Sequence, residues 1–179
     1  MIPDYSPARA LLAAARRHPE RLSLVDAVTG QEWSVREAAD TVARLARAFA
    51  EAGIGEGTRI AVIGANSPWH YIVHVAASWL RAVTVPLSPR MPPSALASMC
   101  EQADVSWVFH DEASSPTALA LASAGARRAS FGDLAAWVDR AAPMSTAPAR
   151  CGDELAAVLF TSGSTGTPRP VELTHEVMW

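Results

Sequence analysis

The chain contains no lysine; its fifteen basic side chains are all arginine. A catalytic lysine therefore cannot come from these residues. Cysteine is scarce as well. Cys100 and Cys151 form no CxxC pair and have no metal-ligand spacing, which fits two reduced thiols in a cytosolic protein. No apolar run approaches the ~20 residues of a membrane span. Residues 1–20 lack a basic start followed by an apolar signal core, because Arg16, Arg17 and His18 interrupt the one candidate. These absences point to a cytoplasmic protein with no transmembrane segment. Positive charge is not in excess either. A net charge of -3 and a pI near 5.9 give no electrostatic case for nucleic acid or an anionic membrane surface. Internal repeats are missing, and oligomeric state is not legible.

What is present is a chain of 179 residues, half of them hydrophobic and 18% charged. That suits one domain, or the first part of a larger one, with enough apolar surface for a buried core. Ser6-Pro7 opens a helix that Pro19 ends. Leu22 to Asp26 and Gln31 to Trp33 read as a hairpin about Thr29-Gly30. Ser34 and Glu37 form a capping box for a helix that Gly53 stops. Arg59 to Ile63 reads as a buried strand, and Ser67-Pro68 opens a helix to about Ala82. Val83 to Pro86 is a second strand, Ser94 to Gln102 a helix and Val105 to Phe109 a third strand. Strand and helix alternate with short links, which predicts an α/β fold: a parallel-rich sheet flanked by helices. From Glu112 to Gly152 the pattern weakens. Ala118–Ala124 and Gly132–Arg140 read as helices, and Ala141–Arg150 as a linker.

The chemistry concentrates near the end. Leu155 to Phe160 is an apolar strand, followed by Thr161-Ser-Gly-Ser-Thr-Gly-Thr-Pro-Arg-Pro170 and Val171-Glu-Leu-Thr-His175. Glycine lets the backbone approach an anion closely, and several N–H groups and hydroxyls can point at one phosphate. Ser162, Ser164, Thr165 and Thr167 offer hydroxyls, and Arg169 offers a guanidinium fork. The loop is not a Walker A motif, which needs Gly-x4-Gly-Lys-Ser/Thr before a helix. Val171 to Leu173 instead reads as a strand. On composition alone, a flexible Ser/Gly linker between two strands stands beside the anion cradle.

The ordered string resembles the phosphate-binding signature of the AMP-forming adenylating enzymes: acyl-CoA synthetases, luciferases and peptide-synthetase adenylation domains. That signature reads Thr-Ser-Gly-Thr/Ser-Thr-Gly-x-Pro-Lys-Gly, with Leu-Thr-His shortly after. The resemblance extends upstream through Trp33-Ser34, Gly53 to Val62, Asn66 to Trp69 and Ala82 to Pro89. It implies that residues 1–179 are a truncated N-terminal subdomain of an AMP-binding domain, with an incomplete sheet. It implies a two-step reaction, in which a carboxylate and ATP give an acyl-adenylate and pyrophosphate, and a thiol, commonly coenzyme A, then takes the acyl group. The implied partners are ATP, Mg²⁺, coenzyme A and a carboxylic acid of the fatty-acid class. By residue, the resemblance assigns ATP phosphate binding to Thr161, Ser162, Gly163, Ser164, Thr165, Gly166 and Arg169, with Thr161 as a candidate Mg²⁺ ligand. A non-CoA adenylating enzyme (a peptide-synthetase domain or an acyl-AMP ligase) and a non-catalytic remnant are the alternatives.

Two departures stand out. Arg169 replaces the signature's Lys, and Pro170 replaces its Gly, which removes an N–H and restricts Arg169 to extended backbone. The family's adenine-, ribose- and acyl-binding segments, its magnesium-binding Glu and its catalytic Lys lie beyond the position of Trp179. The 179-residue chain alone is therefore expected not to catalyse adenylation. His70 and His74 have zinc-like spacing but lack the Glu of HExxH, and read as core or surface histidines. Trp69, Tyr71, Trp79 and Trp107 read as core or contact residues. Asp104, Asp111 and Glu112 read as solvated charges at strand ends.

Overall fold

Local capping signals start the first helices. Ser6 accepts a hydrogen bond from the Arg9 N–H at 3.4 Å, and Pro7 opens α1, Pro7–Arg17. Between α1 and the next helix, β1 (Leu22–Val25) and β2 (Glu32–Ser34) form a small antiparallel hairpin. Ser34 and Glu37 then make the expected reciprocal cap at the head of α2, Val35–Glu51. The Glu37 N–H donates to the Ser34 hydroxyl, and the Ser34 N–H donates to the Glu37 carboxylate at 2.7 Å. Gly53, at φ +81°, turns the chain out of α2.

The main sheet contains β3 (Arg59–Ile63), β4 (Val83–Leu87), β5 (Trp107–His110), β6 (Arg127–Ser130), β7 (Leu155–Thr161) and β8 (Arg169–Thr174). Its order is β6-β5-β3-β4-β7-β8. Every neighbouring pair is parallel except β7–β8. The connecting helices are α3 (Pro68–Trp79), α4 (Pro93–Gln102), α5 (Ser115–Ala122, after a 3-10 turn) and α6 (Phe131–Arg140), and α7 (His175–Met178) follows β8. The computed structural model describes residues 4–122, 125–149, 151–161 and 168–178.

Side-chain alternation along the strands separates two cores. Ile60 and Val62 of β3, with Trp107 and Phe109 of β5, pack with residues of α1, α2, α3 and α6. Ala61, Ile63, Val83, Val85, Leu87 and Val108 pack on the other face with residues of α4 and α5. Phe49 stacks on Phe109 at 5.2 Å, and Trp137 meets Trp107 edge-on at 5.8 Å. Trp79 and Trp107 are buried core residues, as expected, whereas Tyr71 is exposed.

Several boundaries differ from the sequence reading. The helix after Ser67 ends at Trp79 rather than Ala82, because Arg81 adopts φ 55° and the Ala82 N–H returns to the Ala77 carbonyl. The third strand starts at Trp107 rather than Val105. Asp104 sits at φ 50°, and the Val105 N–H is held by the Cys100 carbonyl at 2.9 Å. α5 begins at Ser115, before the expected Ala118. A fourth parallel strand, β6, was not anticipated; it leads into α6, which Ser130 and Asp133 cap reciprocally. Residues 141–149 form no helix or strand, yet they are not a loose linker. The Met144 N–H bonds the Ala43 carbonyl, the Ala149 N–H bonds the Trp79 carbonyl, and the Trp79 indole N–H bonds the Thr146 carbonyl at 3.2 Å. This strap lies across the helix layer.

Candidate functional site

β7 runs parallel to β4 and ends at Thr161; β8 starts at Arg169 and returns antiparallel. Thr161 and Arg169 are cross-strand partners, and both are exposed. The sheet therefore brings these two expected site residues together as the posts of the loop. The other expected phosphate-binding residues, Ser162, Gly163, Ser164, Thr165 and Gly166, lie outside the described residues. Pro170 stands opposite Phe160 on the edge strand, where a residue without an N–H is tolerated. Glu172 of β8 pairs with Arg59 at 3.0 Å, and Arg59 also donates to the Ala103 carbonyl at 3.2 Å. That pair ties the outer strand across the sheet to the end of α4.

Counting along the parallel register from Thr84–Ala157 brings Thr161 level with Ser88. Beside it, the loops after β3 and β4 border a cleft of about 400 Å³ lined by Gly64, Ala65, Asn66, Ser88, Pro89 and Arg90. The sequence reading assigns neither Asn66 nor Arg90 a site role. Only the strand register shows that they share an edge with Thr161.

The next crevice, between the ends of β3 and β5, is filled. The Asp111 carboxylate accepts the Ala65 N–H at 2.7 Å and the Ser114 N–H at 2.8 Å. Burial alone would push this carboxyl up, but donors from Ser114 and Ala65 hold it below its ordinary range. Gly64 is required there, since a Cβ would come within 2.8 Å of Asp111 Cγ. In doubly wound sheets ligands bind where neighbouring strands send their connections to opposite faces. Here an internal carboxylate occupies that position, so Asp111 is a positioned cap rather than a free solvated charge. A larger cleft, about 810 Å³, lies elsewhere, between α1, α2 and the 143–148 strap. Its Arg9 is already paired with Asp4 at 2.6 Å and bonded to the Pro148 carbonyl.

A buried polar group lies under the hairpin. His74 Nδ1 is 2.9 Å from the Thr84 hydroxyl, which donates to the Ala156 carbonyl at 3.4 Å. Burial, aided by nearby His175, pushes His74 down to about 4. His175 is 3% exposed, and its Nε2 has no hydrogen-bond partner among the described residues. Burial lowers its pKa, while Glu154 opposes the shift. His70 instead faces the Ser67 hydroxyl at 3.4 Å, so the two α3 histidines make separate contacts. Among the described residues no group of three or more His, Cys, Asp or Glu is placed to hold a metal ion. No described helix is long and apolar enough to cross a membrane.

Comparison with known proteins agrees with this architecture. Residues 11–179 match the family described as AMP-binding enzyme. A feruloyl-CoA synthase from Amycolatopsis sp is 31% identical over 146 residues, covering 82% of this chain and 29% of that protein. The fatty acid–[acyl-carrier-protein] ligase MmaC of Mycobacterium marinum is 29% identical over 179 residues, covering 94% of this chain and 33% of that protein. The fold of a Mycobacterium tuberculosis fatty acyl CoA synthetase superposes with a TM-score of 0.87 at 23% identity, covering 96% of this chain and 35% of the other. The chain thus spans about a third of the length of these proteins.

Proposed function

The chain belongs to the AMP-binding enzyme family, within the adenylating superfamily, and from that premise we propose that it is the N-terminal part of an ATP-dependent, AMP-forming carboxylate–CoA ligase. In this reading a carboxylate attacks the α-phosphate of ATP, pyrophosphate leaves, and coenzyme A takes the acyl group from the adenylate. The β7–β8 hairpin holds the β- and γ-phosphates by fixed donors, which steadies the leaving pyrophosphate as charge builds on it. The observation that carries this is the pairing of Thr161 with Arg169 at the mouth of the Thr-Ser-Gly-Ser-Thr-Gly segment. Arg169 supplies the cation and a planar fork for phosphate oxygens. The Thr161 hydroxyl is an exposed hard oxygen, suited to one ligand position on Mg²⁺. Bound there, the metal would neutralise phosphate charge.

Mg-ATP binding by the 179-residue chain tests the assignment. Arg169→Ala should weaken it roughly 10–100-fold, the range for losing a charge-assisted hydrogen bond. Arg169→Lys should retain most of it. If Arg169→Ala binds ATP as tightly as the parent chain, the hairpin is not the phosphate site. The chain by itself should give no ATP–pyrophosphate exchange. A carrier-protein thiol as acceptor is the second reading, favoured by the similarity to MmaC. Thioester formation on coenzyme A against carrier protein, by a longer protein carrying this segment, separates the two.

A further inference from the structure

The hairpin that carries the loop is joined to the rest of the sheet by a narrow seam. β3 and β4 are paired from Arg59–Val83 to Ile63–Leu87, and β7 and β8 are paired from Leu155–Thr174 to Thr161–Arg169. β4 and β7 are paired only at Thr84–Ala157. Pro86, two residues along β4, has no N–H with which to extend that ladder. At the surface the seam is crossed by the ion pairs Arg59–Glu172 and Arg81–Glu154; in its interior a polar relay from His74 crosses it, and the buried ring of His175 lies on the hairpin side. His74 of α3 reaches the Thr84 hydroxyl, which reaches the Ala156 carbonyl of β7. The backbone N–H of His175, just past β8, bonds the Glu154 carbonyl just before β7 at 3.1 Å, and its ring is buried.

We propose that His74 and His175 form a proton-sensitive latch, holding the β7–β8 hairpin against β4 and α3 as neutral rings and releasing it, with its anion site, when protonated. The hairpin's role in ATP binding is the reading given above; the latch itself rests on the seam.

The charges around the pair are few. Thr84 of β4 and Ala156 and Ala157 of β7 carry no ionisable group. Next to α7, Glu154 faces His175, but it accepts the Gly152 N–H at 2.6 Å and pairs with Arg81 at 3.5 Å. Glu176 is exposed, with its backbone N–H on the Gly152 carbonyl. Among the described residues no carboxylate acts on His74, whose charged form meets burial and a second imidazole. Protonation therefore carries the cost of a buried, uncompensated charge.

The sign follows from which form binds protons. A released histidine titrates near 6.5, whereas latched His74 resists protonation down to about 4. Between those values each unit fall in pH favours release by about tenfold through His74, with the lowered His175 acting in the same direction; above the upper value the latch is indifferent to pH.

Amide exchange of the 179-residue chain, corrected for intrinsic rates, tests this between about pH 7 and pH 4.5. The β7 amides should exchange ahead of those of β3 and β5, with protection falling about tenfold or more per pH unit below about 6.5. In a His74→Gln/His175→Gln chain, which keeps hydrogen-bonding groups but cannot charge, the β7 slope should flatten. The β3 and β5 amides of the same sample report whether the variant is folded. If β7 is as protected as β3, or keeps its slope in the double variant, the latch is wrong. In a second arm, the ratio of variant to parent affinity for Mg-ATP cancels the titration of ATP itself. That ratio should rise about tenfold from pH 7.5 to pH 5.5; a constant ratio refutes the link to the anion site. If neither protein binds ATP at pH 7.5, the nucleotide reading fails, and the exchange data alone decide the latch.

Discussion

The two halves of the main sheet are built for different work. In β3 and β5 nearly every residue is buried, because helices cover both faces. In β7 burial stops after Val158, and β8 is exposed over most of its length. The first half has a fixed register on both sides and aromatic rings locked between sheet and helices. The second has one thin ladder to its neighbour and ends at Thr161 and Arg169. A scaffold that is over-determined can carry an edge that is not.

Substitutions should expose that contrast as a gradient. Phe109→Ala removes a fully buried ring stacked on Phe49 and edge-on to Trp137. It should cost about 3–5 kcal/mol in denaturant unfolding, a large share of any small domain's stability. Gly64→Ala presses a methyl against Asp111 and should cost about 1–3 kcal/mol. Adding Asp111→Ala should make the pair cost less than the sum of the single variants, since the clash then has no target. On the hairpin side, Glu172→Ala breaks the pair with Arg59, whose carboxylate half is largely exposed. Solvent screening limits that loss to under about 1 kcal/mol. A Glu172 effect as large as that of Phe109 would erase the distinction between the halves.

The scaffold half was largely legible in the sequence, because its signals are local. Arg59–Ile63 is an unbroken apolar strand, and Ser34 with Glu37 spells a helix start. β6 was missed for a physical reason. Arg127-Arg128-Ala129-Ser130 has one buried residue, so it has no apolar pattern to read. It is a strand because β5 offers it a ladder, and because the Arg127 guanidinium lies over the Trp107 ring at 4.5 Å. The strap at 141–149 was misread likewise, since proline and alanine look the same whether backbone bonds go to water or to Ala43 and Trp79. At the site, the spacing of Thr161 and Arg169 was legible, and the register places them face to face. The His74–Thr84–His175 group was not legible: its members lie on three elements, and only the fold brings them near one another.

Among the described residues β8 is an edge strand, and so is β6. An open sheet leaves two rims of unpaired backbone, each a template on which another chain can add a strand and start a fibril. At one rim β6 presents Arg127 and Arg128, whose charge opposes a like neighbour. At the other, β8 begins Arg169-Pro170, a cation followed by a residue with no N–H to offer an incoming strand. The proline that marks this chain's departure from the usual signature thus also leaves β8 one backbone donor short at the mouth of the loop.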